Sequence, residues 1–429
     1  MLVFFMLVGI MFSIRLKFFQ IVKLKLWVKS TILTLFTKQD KKSSGISSFQ
    51  AMTTALAGSI GTGNIVGVAT AITLGGPGSI FWMWIAAFFS MMTIFAENVL
   101  GMLYREKNLK GQWVGGPMYY IEKGLKSKWL AVIFSVTCIL ATFGMGNMTQ
   151  ANSISTALND SFNIEPRISG IIISILSAII ILGGTSRITH FTEKIVPFMA
   201  LFYIVGGLII IFYNKSNLPA AIKNIFINAF NFKAISSGGT GFIISKSIKY
   251  GISRGVFSNE AGLGSSPIIY SAADENEPIV QGMWGIFQVF FDTIIGCSIT
   301  ALCILTSGPI DYKMDSVALS ISAFSSVFGR YGSIFVSFSI IMFAFATIIG
   351  WSYYGEKGLE YIFKGKYITI YKSFYIILIL FGSVMDLNLV WDLSDTFNGL
   401  MAIPNLIALL ILSNQVIKAY NQYINKLTK

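Results

Sequence analysis

Apolar runs of bilayer-crossing length recur from one end of this chain to the other, and no polar stretch between them is long enough to fold as a water-soluble domain. A transmembrane helix needs about 20 predominantly apolar residues. In hydrocarbon every backbone N–H and C=O must be satisfied internally, which leaves helices as the reading for runs of this length. The runs fall at roughly 1–14, 50–72, 80–103, 129–158, 168–184, 195–213, 237–271, 279–307, 331–354, 371–385 and 394–413, eleven in all. Composition agrees: 12% of the residues are charged, against about 25% in soluble domains. The expectation is one all-α polytopic membrane domain over 1–429.

The net charge of +13 raises a nucleic-acid footprint, but the basic residues cluster in loops between apolar runs, as the positive-inside rule requires. With the N-terminus outside, the inside loops hold 23 Lys and Arg and the outside loops six. That asymmetry predicts N-terminus out and C-terminus in, and excludes nucleic acid as partner. The loop Asp274-Glu-Asn-Glu277 carries no basic residue although it falls inside. Residues 1–14 lack the basic start and small-residue cleavage site of a signal peptide. They are short for a span, either a partial span or the remnant of a chain whose natural start lies upstream, the second being preferred. Cys138, Cys297 and Cys303 sit within apolar runs and read as packing residues, with no disulfide or zinc spacing. The single histidine, His190, reads as structural.

Two runs depart from a lipid-facing pattern. The second contains Ala55-Leu-Ala-Gly-Ser-Ile-Gly-Thr-Gly-Asn64-Ile-Val-Gly67 and the seventh Phe257-Ser-Asn-Glu-Ala-Gly-Leu-Gly-Ser-Ser266-Pro267. With the first run set aside, these two open successive groups of five. Paired broken helices at matching places in two halves point to a midplane binding site, where half-helix N-termini receive a carboxylate and freed carbonyls hold a cation. Close helix packing explains the glycines alone. It does not explain Asn64, Asn259 and Glu260 at membrane depth.

At these residues the sequence closely resembles the alanine or glycine:cation symporter family. The resemblance rests on Phe49-Gln-Ala51, Gly61-Thr-Gly-Asn-Ile65, Gly75-Gly-Pro-Gly78, Phe81-Trp-Met-Trp84, Gly115-Gly-Pro-Met-Tyr-Tyr-Ile-Glu-Lys-Gly124, Gly255-Val-Phe-Ser-Asn-Glu-Ala-Gly-Leu-Gly-Ser265, Phe291-Asp-Thr293 and Met401-Ala-Ile-Pro-Asn405, an ordered set covering essentially the whole chain. It implies sodium- or proton-driven import of small neutral amino acids across a bacterial or archaeal inner membrane, with alanine, glycine, serine and glutamine all open as substrates. It also implies a leucine-transporter-type five-plus-five inverted repeat with one extra N-terminal helix: 1–48 for that helix and its basic loop, 49–214 for the first repeat and 236–414 for the second.

The same resemblance implies roles for particular residues. The substrate carboxylate is expected at the backbone amides of Gly61, Thr62 and Gly63, with Asn64, Gln150, Ser258, Asn259 and Trp351 around the substrate. One sodium ion is expected on the carbonyls of Ala57, Ile60 and Ala344 and the hydroxyl of Thr347, hard oxygen donors of the kind the ion demands. Asn64 serves a second ion. Thr347 equally suits a hydroxyl bonded back to its own helix, Gln150 an interhelical hydrogen bond, and Trp351 an interfacial anchor. Glu260 and Asp292 are intramembrane acids that bind cation, relay a proton or pair with a base such as Arg254. Glu97, near Arg105, reads as structural, and Asp386, Asp392 and Asp395 as a solvated outside loop. Residues 105–128 read as a short interfacial helix, a gate over the inner exit or a surface anchor. No cofactor is expected beyond the coupling ion. No nucleophile elbow, metal-ligand cluster or paired carboxylate supports an enzyme, and two unlike broken helices suit alternating access better than a channel filter.

Overall fold

The computed structural model describes residues 1–36, 46–230, 240–310 and 314–427. The start of the seventh run at 237–239, and Lys38, Lys41, Lys42, Lys233, Lys313 and Lys429 among the counted loop charges, lie outside the described residues. Eleven helical segments, two of them broken, account for the eleven runs. They are α1 (Leu2–Arg15), the broken pair α2 (Ser48–Ser59) and α3 (Val66–Gly75), α4 (Gly78–Leu103), α5 (Lys128–Phe162), α6 (Pro166–Ile181), α7 (Gly184–Tyr213), the broken pair α8 (Thr240–Asn259) and α9 (Ser266–Tyr270), α10 (Pro278–Thr306), α11 (Tyr331–Phe363), α12 (Ile368–Val384) and α13 (Leu387–Ile411). Six of these helices are individually long and apolar enough to span a bilayer, and the α2–α3 pair makes a seventh with a bend of 59°. The others are shorter or interrupted.

Burial separates a core from a periphery. Two-thirds of the apolar stretch of α4 and of α11 is buried within the protein, against 39% for α7, which leaves the remaining faces of α7 for lipid. The core approaches closely because small residues line it. A Cβ on Gly285 of α10 falls 2.6 Å from the Asn98 amide of α4, and one on Gly282 falls 2.7 Å from Phe95. On α1, a Cβ on Gly9 falls 2.7 Å from the Phe89 carbonyl of α4. The first run is therefore packed on one side by Phe5, Val8 and Phe12 against the bundle.

Two expectations need correction. The stretch 105–128 is not a surface anchor: it forms a two-stranded hairpin, Glu106–Lys107 with Trp113–Val114, and a helix, Pro117–Gly124, whose Pro117, Met118, Tyr119, Tyr120 and Ile121 are buried. Asp392 and Asp395 are not in a loop, since α13 already spans them. The Arg105 guanidinium donates to the carbonyls of Ser271 (3.3 Å), Ala273 (2.7 Å) and Glu275 (2.6 Å). The acidic 274–277 loop, which lacks basic residues of its own, thus receives them from elsewhere, from Arg105 and from Lys426, whose Nζ lies 3.2 Å from Glu277.

Candidate functional site

Both glycine-interrupted runs uncoil where their sequences suggested. In the first, Ile60 and Gly61 leave helical geometry between α2 and the short turn Thr62–Asn64. In the second, Glu260, Gly262 and Gly264 take φ of +60°, +87° and +81° within five residues. Left-handed backbone suits glycine, whereas Glu260 pays about 1 kcal/mol for it. Its side chain is held at both oxygens in return. Trp351 Nε1 donates to Oε1 (2.6 Å) and Ser265 Oγ to Oε2 (2.6 Å).

The uncoiled α2 end faces α11. Thr347 Oγ1 donates to Ala57 O at 2.9 Å and lies 3.4 Å from Ile60 O. It also reaches Phe343 O of its own helix at 3.1 Å, so back-bonding and the interhelical contact coexist. Ala344, three residues earlier on α11, is fully buried. A Cβ on Gly61 falls 2.6 Å from Thr347 Oγ1 and 3.2 Å from Gln150 Oε1, so only glycine lets these three groups converge.

Gln150 bridges α5 to this break. Its Oε1 accepts from Thr62 N–H at 3.3 Å and its Nε2 donates to Met145 O at 2.9 Å. The amide oxygen thereby meets the backbone N–H at the start of the short Thr62–Asn64 turn through a long contact. The buried Thr62 hydroxyl beside it has no partner. Gly63 packs against α8: its Cβ position is 3.2 Å from Ser258 Cα and 3.4 Å from the Phe257 ring.

Asn64 and Asp292 tie both breaks to α10. Asn64 Oδ1 accepts from Gly61 N–H (3.1 Å), while its Nδ2 donates to Asp292 Oδ1 (2.9 Å) and to the Asp292 carbonyl (3.0 Å). Ser258 Oγ (2.9 Å) and Thr293 Oγ1 (2.8 Å) donate to Asp292 Oδ2, and Thr300 Oγ1 donates to Asn64 O (2.7 Å). Asn259 closes the α8 end: its Oδ1 accepts from Ala261 N–H (3.1 Å) and its Nδ2 donates to Thr293 (3.2 Å). Asp292 lies in a π-helical stretch, Phe290–Cys297, and such bulges recur at functional sites. Among the described residues no Lys or Arg forms an ion pair with Asp292, Glu260 or Glu97. The pairing of Glu260 with Arg254 is excluded in this state, because Arg254 Nη2 lies 3.3 Å from Asp395 Oδ2.

Trp351 joins the two breaks: its indole N–H donates to Glu260 Oε1 and, at 3.3 Å, to Gly58 O. A second such link escaped the sequence reading. Asn405 Nδ2 donates to Glu97 Oε1 and to Gly262 O (3.0 Å), and its Oδ1 accepts from Tyr120 OH. The available signal was an amide inside an apolar run, in the Met401–Asn405 motif. Thr300 also went unnamed, and Thr293 carried no role beyond its motif, since hydroxyls are common in membrane helices.

The sodium:alanine symporter family model matches residues 1–429. A sodium/alanine symporter, AgcS, of Methanococcus maripaludis is 44% identical, the alignment covering 98% of this chain and 94% of that protein. Two Bacillus subtilis proteins are also similar: a probable sodium/glutamine symporter, GlnT, at 39% (97% and 86% covered), and a putative sodium/proton-dependent alanine carrier, YrbD, at 38% (97% and 88% covered). Among solved structures, an Eremococcus coleocola manganese transporter matches with a TM-score of 0.55 at 13% identity, covering 88% of this chain and 80% of that one. A Na+-coupled sialic acid symporter matches at 0.52 and 14%, covering 97% and 81%. At such identities these two speak to the fold alone, the leucine-transporter type with one added N-terminal helix. The chain belongs to the sodium:alanine symporter family and is a multi-pass, cation-coupled amino-acid symporter.

Proposed function

We propose that this protein imports small neutral amino acids, alanine and glycine foremost with D-alanine and serine behind them, using the sodium gradient across a bacterial or archaeal cell membrane. The observation that carries this reading is the convergence of Ala57 O, Ile60 O and Thr347 Oγ1 at the edge of the first helix break, beside the Gly61 and Thr62 amides. Three neutral oxygens from two helices suit a monovalent hard cation. The adjacent half-helix end suits a carboxylate. One ion sits on Ala57, Ile60, Ala344 and Thr347. A second uses Asn64 together with Asp292, Ser258 and Thr293. Gly61, Thr62, Gly63 and Gln150 hold the substrate carboxylate, Ser258 flanks it, and Asn259 and Trp351 hold the surrounding backbone. The two repeats run over 49–214 and 236–414, with the N-terminus outside and the C-terminus in the cytoplasm, as the basic-loop asymmetry supports.

Proton coupling is favoured by one observation: Glu260 and Asp292 are fully buried acids that have no basic partner among the described residues. Uptake of labelled alanine into proteoliposomes under an imposed sodium gradient, proton gradient or none separates the readings. Accumulation that requires sodium is the expected result. Accumulation driven by protons alone overturns sodium coupling, and uptake of glutamine in preference to alanine overturns the small-substrate reading.

The cation site makes a sharper expectation. Thr347→Val keeps the side-chain shape and removes the oxygen. Losing a hydrogen-bonding group on a charged ligand costs about 1.5–3 kcal/mol, so the sodium concentration for half-maximal uptake rises about 10- to 100-fold. Thr347→Ser stays near wild type. A sodium activation curve for each variant checks it, and an unshifted Thr347→Val curve removes Thr347 from the ion site.

A further inference from the structure

One turn before the α8 break lies a guanidinium with few partners. The Arg254 side chain is 11% exposed, and its Nε and Nη1 are buried without a hydrogen-bond partner. The third nitrogen, Nη2, makes a single 3.3 Å contact with Asp395 of α13. The guanidinium carbon stands 4.7 Å from the Trp391 ring centroid and 5.7 Å from that of Phe257, and those two rings pack at 4.9 Å. Phe257 in turn touches the Gly63 position. Asp395 is 43% exposed at one edge of the cluster, and the candidate substrate site lies at the other.

An arginine this deep is costly when its donors go unmade. A buried donor left unmade carries its full desolvation penalty, larger on a charged group. Nε and one Nη form the paired donor face that matches a carboxylate two-prongedly. Nε shares one such face with Nη2 and Nη1 shares the other with it, so both include the nitrogen that Asp395 meets at 3.3 Å, and a carboxylate takes a face in full as Asp395 leaves. We propose that Arg254 is a receiving site for the α-carboxylate of the amino acid, which displaces Asp395 from the guanidinium before the substrate passes Phe257 to the Gly61–Gly63 amides. The assignment rests on the amino-acid substrate class given above, and its position on the entry side rests on the orientation read from the loop charges. Asp395 acts as the resting counter-ion. Once substrate takes the guanidinium, the tie between α8 and α13 is released and the Phe257–Trp391 pair is free to part.

Trp391 supplies the readout, because the ring stacks on the guanidinium in question. The full-length protein in detergent, in sodium-free choline buffer, is titrated with alanine and separately with propionate, which has the carboxylate but no ammonium. The expected result is a saturable tryptophan-fluorescence change with both, absent in Trp391→Phe. Arg254→Gln raises the half-saturation point about tenfold or more, the scale of one charge-assisted hydrogen-bond pair. Asp395→Asn, which removes the competitor, lowers it several-fold. Arg254→Lys keeps the charge but not the paired face, so it weakens binding several-fold and serves as the test if the glutamine variant fails to fold. Three outcomes overturn the proposal: no sodium-independent signal from Trp391, wild-type titration in both Arg254 variants, or weakening by Asp395→Asn, which makes the pair a structural strut. Each can occur with sodium-driven alanine uptake intact. Conversely, a retained signal with no sodium-driven uptake removes the coupling reading and leaves the carboxylate site.

Discussion

Replacing Gly61 with valine abolishes transport, with uptake down about 100-fold or more, in a protein that still assembles. The reason is local. The Cβ at this position sits 2.6 Å from Thr347 Oγ1, a contact too short for any carbon, and a tight 3.2 Å from Gln150 Oε1. The backbone there is extended (φ −132°, ψ −150°), so no left-handed φ calls for glycine. The penalty is therefore steric, and it is levied where the cation oxygens and the carboxylate-facing amide meet. Accommodation pushes Thr347 from the Ala57 and Ile60 carbonyls, Gln150 from Thr62, or both. Relief needs a shift of about 1 Å in buried, close-packed surroundings, which overpacking data place at about 1–3 kcal/mol. That is tolerable for folding and fatal to a site that depends on placement. Monodisperse size-exclusion behaviour with no saturable alanine uptake is the expected pair of results. Normal uptake by Gly61→Val moves the substrate and ion sites away from this break.

Asp292 gives the second large effect, and two variants separate its charge from its structural part. Asp292→Leu leaves the buried hydroxyls of Ser258 and Thr293 and one Asn64 donor without their acceptor. Orphaned donors cost about 1–3 kcal/mol each. Two mitigations exist: Asn64 Nδ2 keeps the residue 292 carbonyl (3.0 Å) and Ser258 Oγ keeps Cys297 Sγ (3.4 Å). A net loss of about 3 kcal/mol is expected, seen as a lowered melting temperature and no uptake. Asp292→Asn keeps shape and one acceptor, so it folds near wild type. If the carboxylate helps hold a cation, its sodium requirement rises about tenfold or more. A wild-type sodium curve for Asp292→Asn confines Asp292 to joining the two breaks.

The two helix breaks were legible because glycines and amides at membrane depth contradict the local rule for lipid-facing helices, and a contradiction of that kind needs no tertiary information. The eleven apolar helical segments were legible for the same reason: hydropathy and the internal satisfaction of backbone groups act along the chain. Asp395 shows where this stops. Three acids within ten residues, Asp386, Asp392 and Asp395, read as a loop, yet α13 runs through two of them and sets Asp395 against Arg254, 141 residues away. Likewise the Pro117–Gly124 helix, amphipathic in sequence like a surface anchor, is buried because Tyr120 reaches Asn405.

The sequence by itself determined the environment, the succession of apolar helices, where two of them uncoil, and which oxygens and amides those breaks release. Only the tertiary structure decided these partners: Asn64 with Asp292, Trp351 with Glu260, Asn405 with Glu97, and Arg254 left half-satisfied between two aromatic rings. The physical reason is that lipid offers polar groups no alternative, so each must find a partner within the bundle, but which one depends on the rotation and depth of helices distant in sequence. Periodicity records a residue's face along its own helix and carries nothing about the helix opposite.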